Sequence, residues 1–271
     1  MDQGGGLSNT ENKVIVVKVG GATLGSHDTT IEDIAHLQKQ GKSLVIVHGG
    51  GPLITEWLNK QGLSSCFIQG ERVTDQGILD VVVAVLAGLV NKEIVAAINN
   101  RGGLAVGLSG VDGAIIQGSI KDTNLGYVGT IVKVNLTLLR VLLQSGYIPV
   151  MAPVSLLASD KSEGTPQIVN INADDVAGEI AATISAEKLI FLTDVAGISD
   201  QSGRLLPRLS PGEAEALVAS GVAAGGMIPK IRACLRALSV ATTAEIIDGR
   251  QPHALLKVLE GHIGGTTIKA G

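Results

Sequence analysis

Two hydrophobic patterns alternate along the chain. Residues 13–19 (KVIVVKV) form a β-branched run that stops at Gly20, and residues 43–47 form a second run that stops before HGGG. Continuous apolar runs of this length predict strands buried on both faces. Between them Ile31, Ile34, Ala35 and Leu37 recur at helical spacing, so the segment predicts a βαβ unit with parallel strands and a right-handed crossover. The alternation continues. Residues 52–61 open on a proline suited to a first helical turn, residues 66–73 are short and extended, and Thr74 is placed to cap a long helix reaching about Arg101. Residues 105–108 and 148–151 predict strands on either side of a hairpin-like region, 115–134, and a helix, 136–144. Residues 173–185 read as a helix and 188–193 (KLIFLT) as the most apolar strand of the second half. Residues 211–219 and 229–241 read as helices, 244–248 as a strand and 252–259 as a last helix. This order predicts an α/β fold with a mostly parallel sheet covered on both faces. Residues 153–167 lose their periodicity without becoming a Pro/Ser-rich linker. They divide two halves of one domain, 13–165 and 166–271, after a polar, glycine-rich stretch, 1–12, that reads as a flexible tail.

Composition narrows the function classes. Of 271 residues 36 are glycine, where roughly 7% is average, and many fall in doublets or triplets, including Gly20 with Gly21, residues 49–51 and Gly225 with Gly226. The net charge is −4, and the chain holds one Trp, two Tyr and two Phe. Without a global basic field or many stacking platforms, nucleic acid is not an expected partner. The longest uncharged apolar run, 81–90, is shorter than the roughly 20 residues of a membrane-spanning helix, so no membrane partner is expected either. The segment MDQGGGLSNTEN has two acids before its first lysine, unlike a signal or transit peptide. Cys66 and Cys234 are expected to stay reduced, which suggests a cytoplasmic location.

The candidate chemistry lies at predicted strand ends. KVGG, VHGGG and LTDVAG each end a strand, and in a parallel sheet ligands bind beyond the carboxyl ends. Glycine turns there let backbone N–H groups approach an anion. Neither GxxxxGK[ST] nor a GxGxxG after the first strand is present, which removes the P-loop and the usual dinucleotide fingerprint. Lys18, near the end of the first apolar run, either snorkels to water or neutralises phosphate. Lys230 follows Pro229, read as the first helical residue, so a cation sits where the helix dipole disfavours it. It is either a solvated surface lysine or a functional one. In NINADD, Asp174 and Asp175 suit a first helical turn without any function, and Asn170 can present an amide to a ligand. Arg72 either grips a carboxylate bidentately or pairs with Glu71 or Asp75. His48 reads as a packed or turn-stabilising residue rather than a base. With no HExxH and no paired Cys/His spacing, no protein-held metal is expected. Two lysines, glycine turns, an arginine and an asparagine without an evident base suit phosphoryl transfer to a carboxylate, which needs no deprotonation but must be brought to another anion.

KVGGATL, VHGGGPLITEWL, GERVTD, AGLVNKEIVAAI, VNINADDVAGEIA, LTDVAGI and GGMIPK follow one another in an order and spacing that resembles the amino acid kinase family over almost all of residues 13–269. The resemblance implies a three-layer αβα sandwich, ATP as donor with Mg²⁺ carried on its phosphates, and N-acetyl-L-glutamate as acceptor, converted to N-acetyl-L-glutamyl 5-phosphate in arginine biosynthesis. It implies that Lys18 and Lys230 stabilise the transferring group and that Asp174 holds both. Gly50, Gly51, Arg72 and Asn170 would bind the acceptor. Gly20, Gly21, Asp194, Val195, Ala196, Gly197, Ile198, Ser199 and Gly226 would hold the nucleotide. The first half would then carry the acceptor and the dimer contact, and the second half ATP. Arginine-inhibited members carry an extra N-terminal helix. Only about a dozen polar residues precede the first strand here, so the resemblance implies a homodimer insensitive to arginine. Related kinases act on carrier-protein-linked aminoadipate, and Val73 favours the N-acetylglutamate type. Two further readings stay open: a nicotinamide-dependent oxidoreductase, against which the missing fingerprint counts, and a non-catalytic nucleotide- or amino-acid-sensing module.

Overall fold

The β-branched run after Lys13 forms β1 (Val14–Val19), followed by α1 (Thr30–Lys39), β2 (Ser43–His48) and α2 (Gly51–Lys60). These and the elements below belong to a computed structural model that describes residues 13–20, 29–68, 70–158, 167–262 and 264–269. Gly21 and the tail, 1–12, lie outside the described residues, as does the division at 165/166. A short hairpin, β3 (Phe67–Ile68) and β4 (Glu71–Arg72), leads into α3 (Gln76–Val83), a π-helical segment Ala84–Val90, and α4 (Asn91–Asn100). Then come β5 (Ala105–Ser109), β6 (Ile116–Ile120), β7 (Gly129–Val134), α5 (Thr137–Gln144), β8 (Ile148–Ala152), β9 (Val154–Leu157) and β10 (Ile168–Asn170). The second half contributes α6 (Ala173–Ile184), β11 (Lys188–Thr193), β12 (Arg208–Leu209), α7 (Pro211–Ala219), α8 (Met227–Ala237), β13 (Thr243–Asp248), α9 (Ala254–Leu259) and β14 (Gly265–Ile268).

Eight strands form one sheet in the order β12-β14-β13-β11-β1-β2-β8-β5, to which both halves of the chain contribute. Its pairs are parallel except β13 with β14. Along β1 the side chains alternate. Ile15, Val17 and Val19 enter a core shared with α1, α9 and the long helix, whereas Val16 enters the opposite core, shared with α6 and α8. The sheet is therefore the middle of three layers, as expected. Lys18 shares the face of Val16 by the period of two, which aims it at α6. A second sheet, β10-β9-β6-β7, sits beside it.

Several local expectations are corrected. Thr74 does not cap the long helix: Asp75 does, its Oδ1 accepting from Ile78 N at 2.8 Å, while the Thr74 hydroxyl donates to Arg72 O at 2.7 Å. The apolar run 81–90 is not an isolated short segment. It lies in a continuous helix, Gln76–Asn100, of 25 residues, in which an 18-residue stretch has a mean hydropathy of 2.1, long and apolar enough by those measures alone to cross a membrane. Here Val82, Leu86 and Ile98 of that helix pack into the core. Residues 153–167, read as aperiodic, contain β9. Pro229 is the third residue of α8 rather than the first, because any of the first helical N–H groups can be missing without losing an internal bond. Gly265 opens β14, where a Cβ would stand 2.2 Å from Ile246 O.

Candidate active site

Parallel pairing brings the carboxyl ends of β1, β2, β11 and β13 side by side. Val19 is in register with both His48 and Leu192, and Thr193 with Asp248. Backbone bonds tie the following residues to neighbouring strands: Gly20 N to Leu192 O and Gly49 N to Val19 O, both at 3.1 Å, and Gly249 N to Thr193 O at 2.8 Å. Two of the glycine turns therefore meet on one edge.

Asp174 stands beneath that edge. It is the second residue of α6, whose N-cap, Asn172, accepts from Asp174 N at 2.8 Å. Its Oδ1 lies 2.7 Å from Lys18 Nζ, and its Oδ2 accepts a hydrogen bond from Lys230 Nζ at 3.0 Å. The three side chains are only 5–16% exposed. Burial by itself pushes the Asp174 carboxyl up, but the two ammonium groups outweigh it and hold the group below the usual carboxylate range. One carboxylate between two ammoniums leaves one net positive charge. Lys230 Nζ also donates to Gly226 O at 3.2 Å, so the cation that looked misplaced at a helix start is compensated by α6. Nothing in the local sequence around Lys230 points to that partner, which lies 56 residues away; the family resemblance implied it. Behind the bridge, α6 and α8 touch where a Cβ on Gly178 would stand 2.9 Å from Ala233 Cα. Arg236 then clamps Glu179 through two bonds of 2.8 and 3.0 Å.

A second cluster forms where α2 meets the β3–β4 hairpin. Arg72 is 7% exposed and donates to Gly51 O at 3.1 Å, to Thr55 Oγ1 at 2.8 Å and to Ser65 Oγ. Its guanidinium lies 4.6 Å from the Phe67 ring centroid. The expected alternative, pairing with Glu71 or Asp75, is not realised: Glu71 binds Lys121 at 2.8 Å and Asp75 caps α3. Among the described residues no carboxylate pairs with Arg72, and burial lowers its pKa. A buried guanidinium without an anionic partner is costly unless a ligand supplies one. Asn170 Nδ2 reaches Thr74 Oγ1 at 3.4 Å, which joins it to the Arg72 cluster. Gly50 caps α2 with extended φ 168°, and around Gly51 a Cβ would meet nothing within 4 Å. Thr55, Ser65 and Phe67, which contact Arg72, were not singled out in the sequence because small hydroxyls and a lone Phe carry no pattern, and Thr74, which joins Arg72 to Asn170, was read only as a helix cap.

Of the nucleotide candidates, Gly20 is at the edge, and Asp194, Val195 and Ala196 are exposed just beyond β11. Gly197 and Ile198 turn inward beneath β14, where Ile198 N donates to Thr266 Oγ1 at 2.8 Å. Gly197 adopts φ 149° and approaches Thr266 so closely that a Cβ would stand 2.6 Å from its hydroxyl, a position only glycine fills well. Ser199 bridges Leu205. Gly226 precedes α8, with open space around it. Arg250, paired with Asp248 at 2.9 Å at the end of β13, also feels the charge of Asp194; neither Arg250 nor Asp248 was singled out in the sequence. Among the described residues no group of three or more His, Cys, Asp or Glu could hold a metal.

A parallel sheet edge with an Asp-bridged lysine pair and a buried arginine awaiting an anion defines a phosphotransferase that brings two anions together. The chain belongs to the amino acid kinase family, whose model matches residues 13–248. It is 47% identical to an acetylglutamate kinase of Dehalococcoides mccartyi over 262 residues, spanning 97% of this chain and 96% of that one. It is 49% identical to the acetylglutamate kinase of Nostoc sp. strain PCC 7120 over 265 residues, spanning 94% and 87% respectively. Among solved structures, smu.665 from Streptococcus mutans UA159 superposes with a TM-score of 0.81 at 27% identity, covering 95% of this chain and 99% of that one.

Proposed function

We infer that the chain transfers the γ-phosphoryl group of ATP to the side-chain carboxylate of N-acetyl-L-glutamate, the activity its relatives' names describe, as a step of arginine biosynthesis. The observation that carries the phosphoryl-transfer reading is the bridge in which Lys18 and Lys230 share Asp174. The acceptor carboxylate is already a nucleophile, so the reaction needs no base. A new bond forms between a carboxylate oxygen and the γ-phosphorus while the bond to the β–γ bridging oxygen breaks, and ADP leaves. What opposes the step is repulsion between two anions. The net positive charge of the Lys18–Asp174–Lys230 group offsets it in a site where screening by water is weak. Asp174 fixes both ammoniums without neutralising both. Arg72 and Asn170 hold the acceptor, with Arg72 meeting its α-carboxylate, and the N–H groups of Gly50 and Gly51 face the reacting oxygens.

Gly20, Asp194, Val195, Ala196 and Gly226 line the nucleotide side, where the turn at Gly197 and Ile198 is braced from below by Thr266. Mg²⁺ enters on the ATP phosphates and supplies charge neutralisation there. We assign the chain as a homodimer, since the long helix keeps Ala84 and Gly88 exposed along an apolar face. Cys66 and Cys234, both free thiols, accord with a cytoplasmic location. The test is ADP release by the purified chain with Mg-ATP. Release that depends on added N-acetyl-L-glutamate is expected, and release independent of it, or none, contradicts the reading.

A further inference from the structure

His48 ends β2, and its ring is fully buried beside the glycine turn at 49–51. Its Nδ1 lies 3.0 Å from Gly49 O. A carbonyl only accepts, so Nδ1 carries the proton and Nε2 is left as an acceptor. The group that meets Nε2 is the Asn91 amide, with Nδ2 at 3.1 Å. The same nitrogen donates to Val150 O at 2.9 Å and lies 3.3 Å from Leu108 O, which identifies that atom as nitrogen rather than oxygen. Asn91 is also fully buried.

The long helix delivers Asn91 through its π-helical segment, Ala84–Val90, of which Asn91 is the next residue. A π turn inserts an extra residue per turn and changes the direction in which the following side chains point. The same segment supports the glycine turn directly: a Cβ on Gly50 would stand 2.6 Å from Leu86 Cδ2 and 3.4 Å from Val90 Cγ2. Gly50 is thus held against one part of the helix while the residue just after that part holds His48.

The consequence follows from the planarity of the peptide. With Gly49 C=O turned back to the His48 ring, the N–H of Gly50 on the same peptide points the opposite way. Among the described residues, neither Gly50 N–H nor Gly51 N–H donates to a protein acceptor. We propose that His48 and Asn91 are positioning residues for phosphoryl transfer. Asn91 fixes the His48 tautomer, and His48 holds the Gly49 carbonyl so that the Gly50 N–H is presented to the reacting anions. The assignment rests on the kinase reading above. Burial pushes the His48 pKa down to about 4, helped by the charges of Lys18 and Lys92 and opposed by the Gly49 bond. The ring therefore stays neutral, with one donor and one acceptor, throughout the neutral range.

Two substitutions separate this role from packing. His48→Asn places an amide nitrogen where Nδ1 was and keeps a donor for Gly49 O. His48→Gln places it where Nε2 was and loses that donor. With ATP and N-acetyl-L-glutamate, His48→Gln is expected to lower kcat by about 10- to 100-fold, the range of a roughly 1 Å misplacement, with both KM values near wild type. His48→Asn should stay within about fivefold of the wild-type kcat. Equal losses of kcat in the two variants, or losses confined to KM, overturn the proposal. If neither variant folds, ¹⁵N NMR of the wild-type imidazoles decides. A buried ring in the Nδ1–H form that remains neutral down to about pH 5 supports the proposal, and an Nε2–H tautomer overturns it. A wild-type chain without turnover instead refutes the kinase reading, an outcome distinct from an active wild type whose two variants behave alike.

Discussion

Gly178 of α6 lies directly against the backbone of Ala233 in α8, so that a Cβ on Gly178 would stand 2.9 Å from Ala233 Cα and 3.0 Å from Ala233 O. Four residues before Gly178 is Asp174, and three residues before Ala233 is Lys230. The close approach of the helices therefore sets the 3.0 Å bond between those two side chains. Gly178→Val should force the helices apart against backbone atoms that cannot rotate away. A stability loss of about 1–3 kcal/mol is expected, together with a fall in kcat of about tenfold or more as Lys230 moves off Asp174. Urea denaturation and steady-state kinetics check both; normal kcat in a destabilised variant would separate the contact from catalysis.

The lysine bridge predicts different outcomes for its members. Lys230→Met should lower kcat by about 10²- to 10³-fold, the usual loss for one preorganised charge-stabilising donor, with little change in the acceptor KM. Asp174→Asn should also cost on the order of 3 kcal/mol in stability, because it leaves two ammoniums facing each other in a buried site. Thermal denaturation alongside kinetics distinguishes the two.

Much of this arrangement was legible beforehand, and what was missed has physical causes. β1, β2 and β11 were readable because strands buried on both faces are continuously apolar. β12 is a two-residue edge strand and β14 contains glycine and threonines, so neither gives a period. β9 lies in the stretch that seemed aperiodic because its residues, VSLL, are too few to show one. Lys230 stood out because it offends the helix dipole, whereas Asp174 was locally favourable in a first turn and for that reason carried no signal. Its role came from the family resemblance, and the structure adds the two contacts. The alternative partners offered for Arg72 were its sequence neighbours, but Glu71 is engaged by the distant Lys121 and Asp75 by the helix start it caps, at Ile78 N.

Arg72 makes three donor contacts with a fork-shaped group, and a lysine cannot reproduce them. Arg72→Lys is therefore expected to raise the acceptor KM about tenfold or more while leaving the KM for ATP within about twofold. An equal rise in both constants would contradict the assignment of Arg72 to the acceptor side.

Asp175 predicts an unusual pH dependence. Burial raises its pKa to about 6; Lys121 and Arg232 lower it, while Asp174 and Glu71 raise it further. A carboxyl whose folded pKa lies above its unfolded value binds more protons when folded, so stability falls as pH rises between about 4 and 6. Asp175→Asn should remove that loss. The variant is expected to gain on the order of 1–3 kcal/mol over wild type at pH 7, with the difference vanishing below pH 4. Asp174 has the opposite sign: its folded pKa is depressed, so its contribution is present at neutral pH and is lost as pH falls through the depressed value. Urea melts of wild type and Asp175→Asn at several pH values check the prediction.

The central claim concerns which carboxylate accepts the phosphoryl group, and one assay tests it most directly. Purified protein is given Mg-ATP and hydroxylamine with N-acetyl-L-glutamate, free glutamate, aspartate or carrier-linked aminoadipate in parallel, and the trapped hydroxamate is measured. The account predicts hydroxamate with N-acetyl-L-glutamate and little with the others. No hydroxamate from N-acetyl-L-glutamate, or a larger yield from carrier-linked aminoadipate, would contradict it.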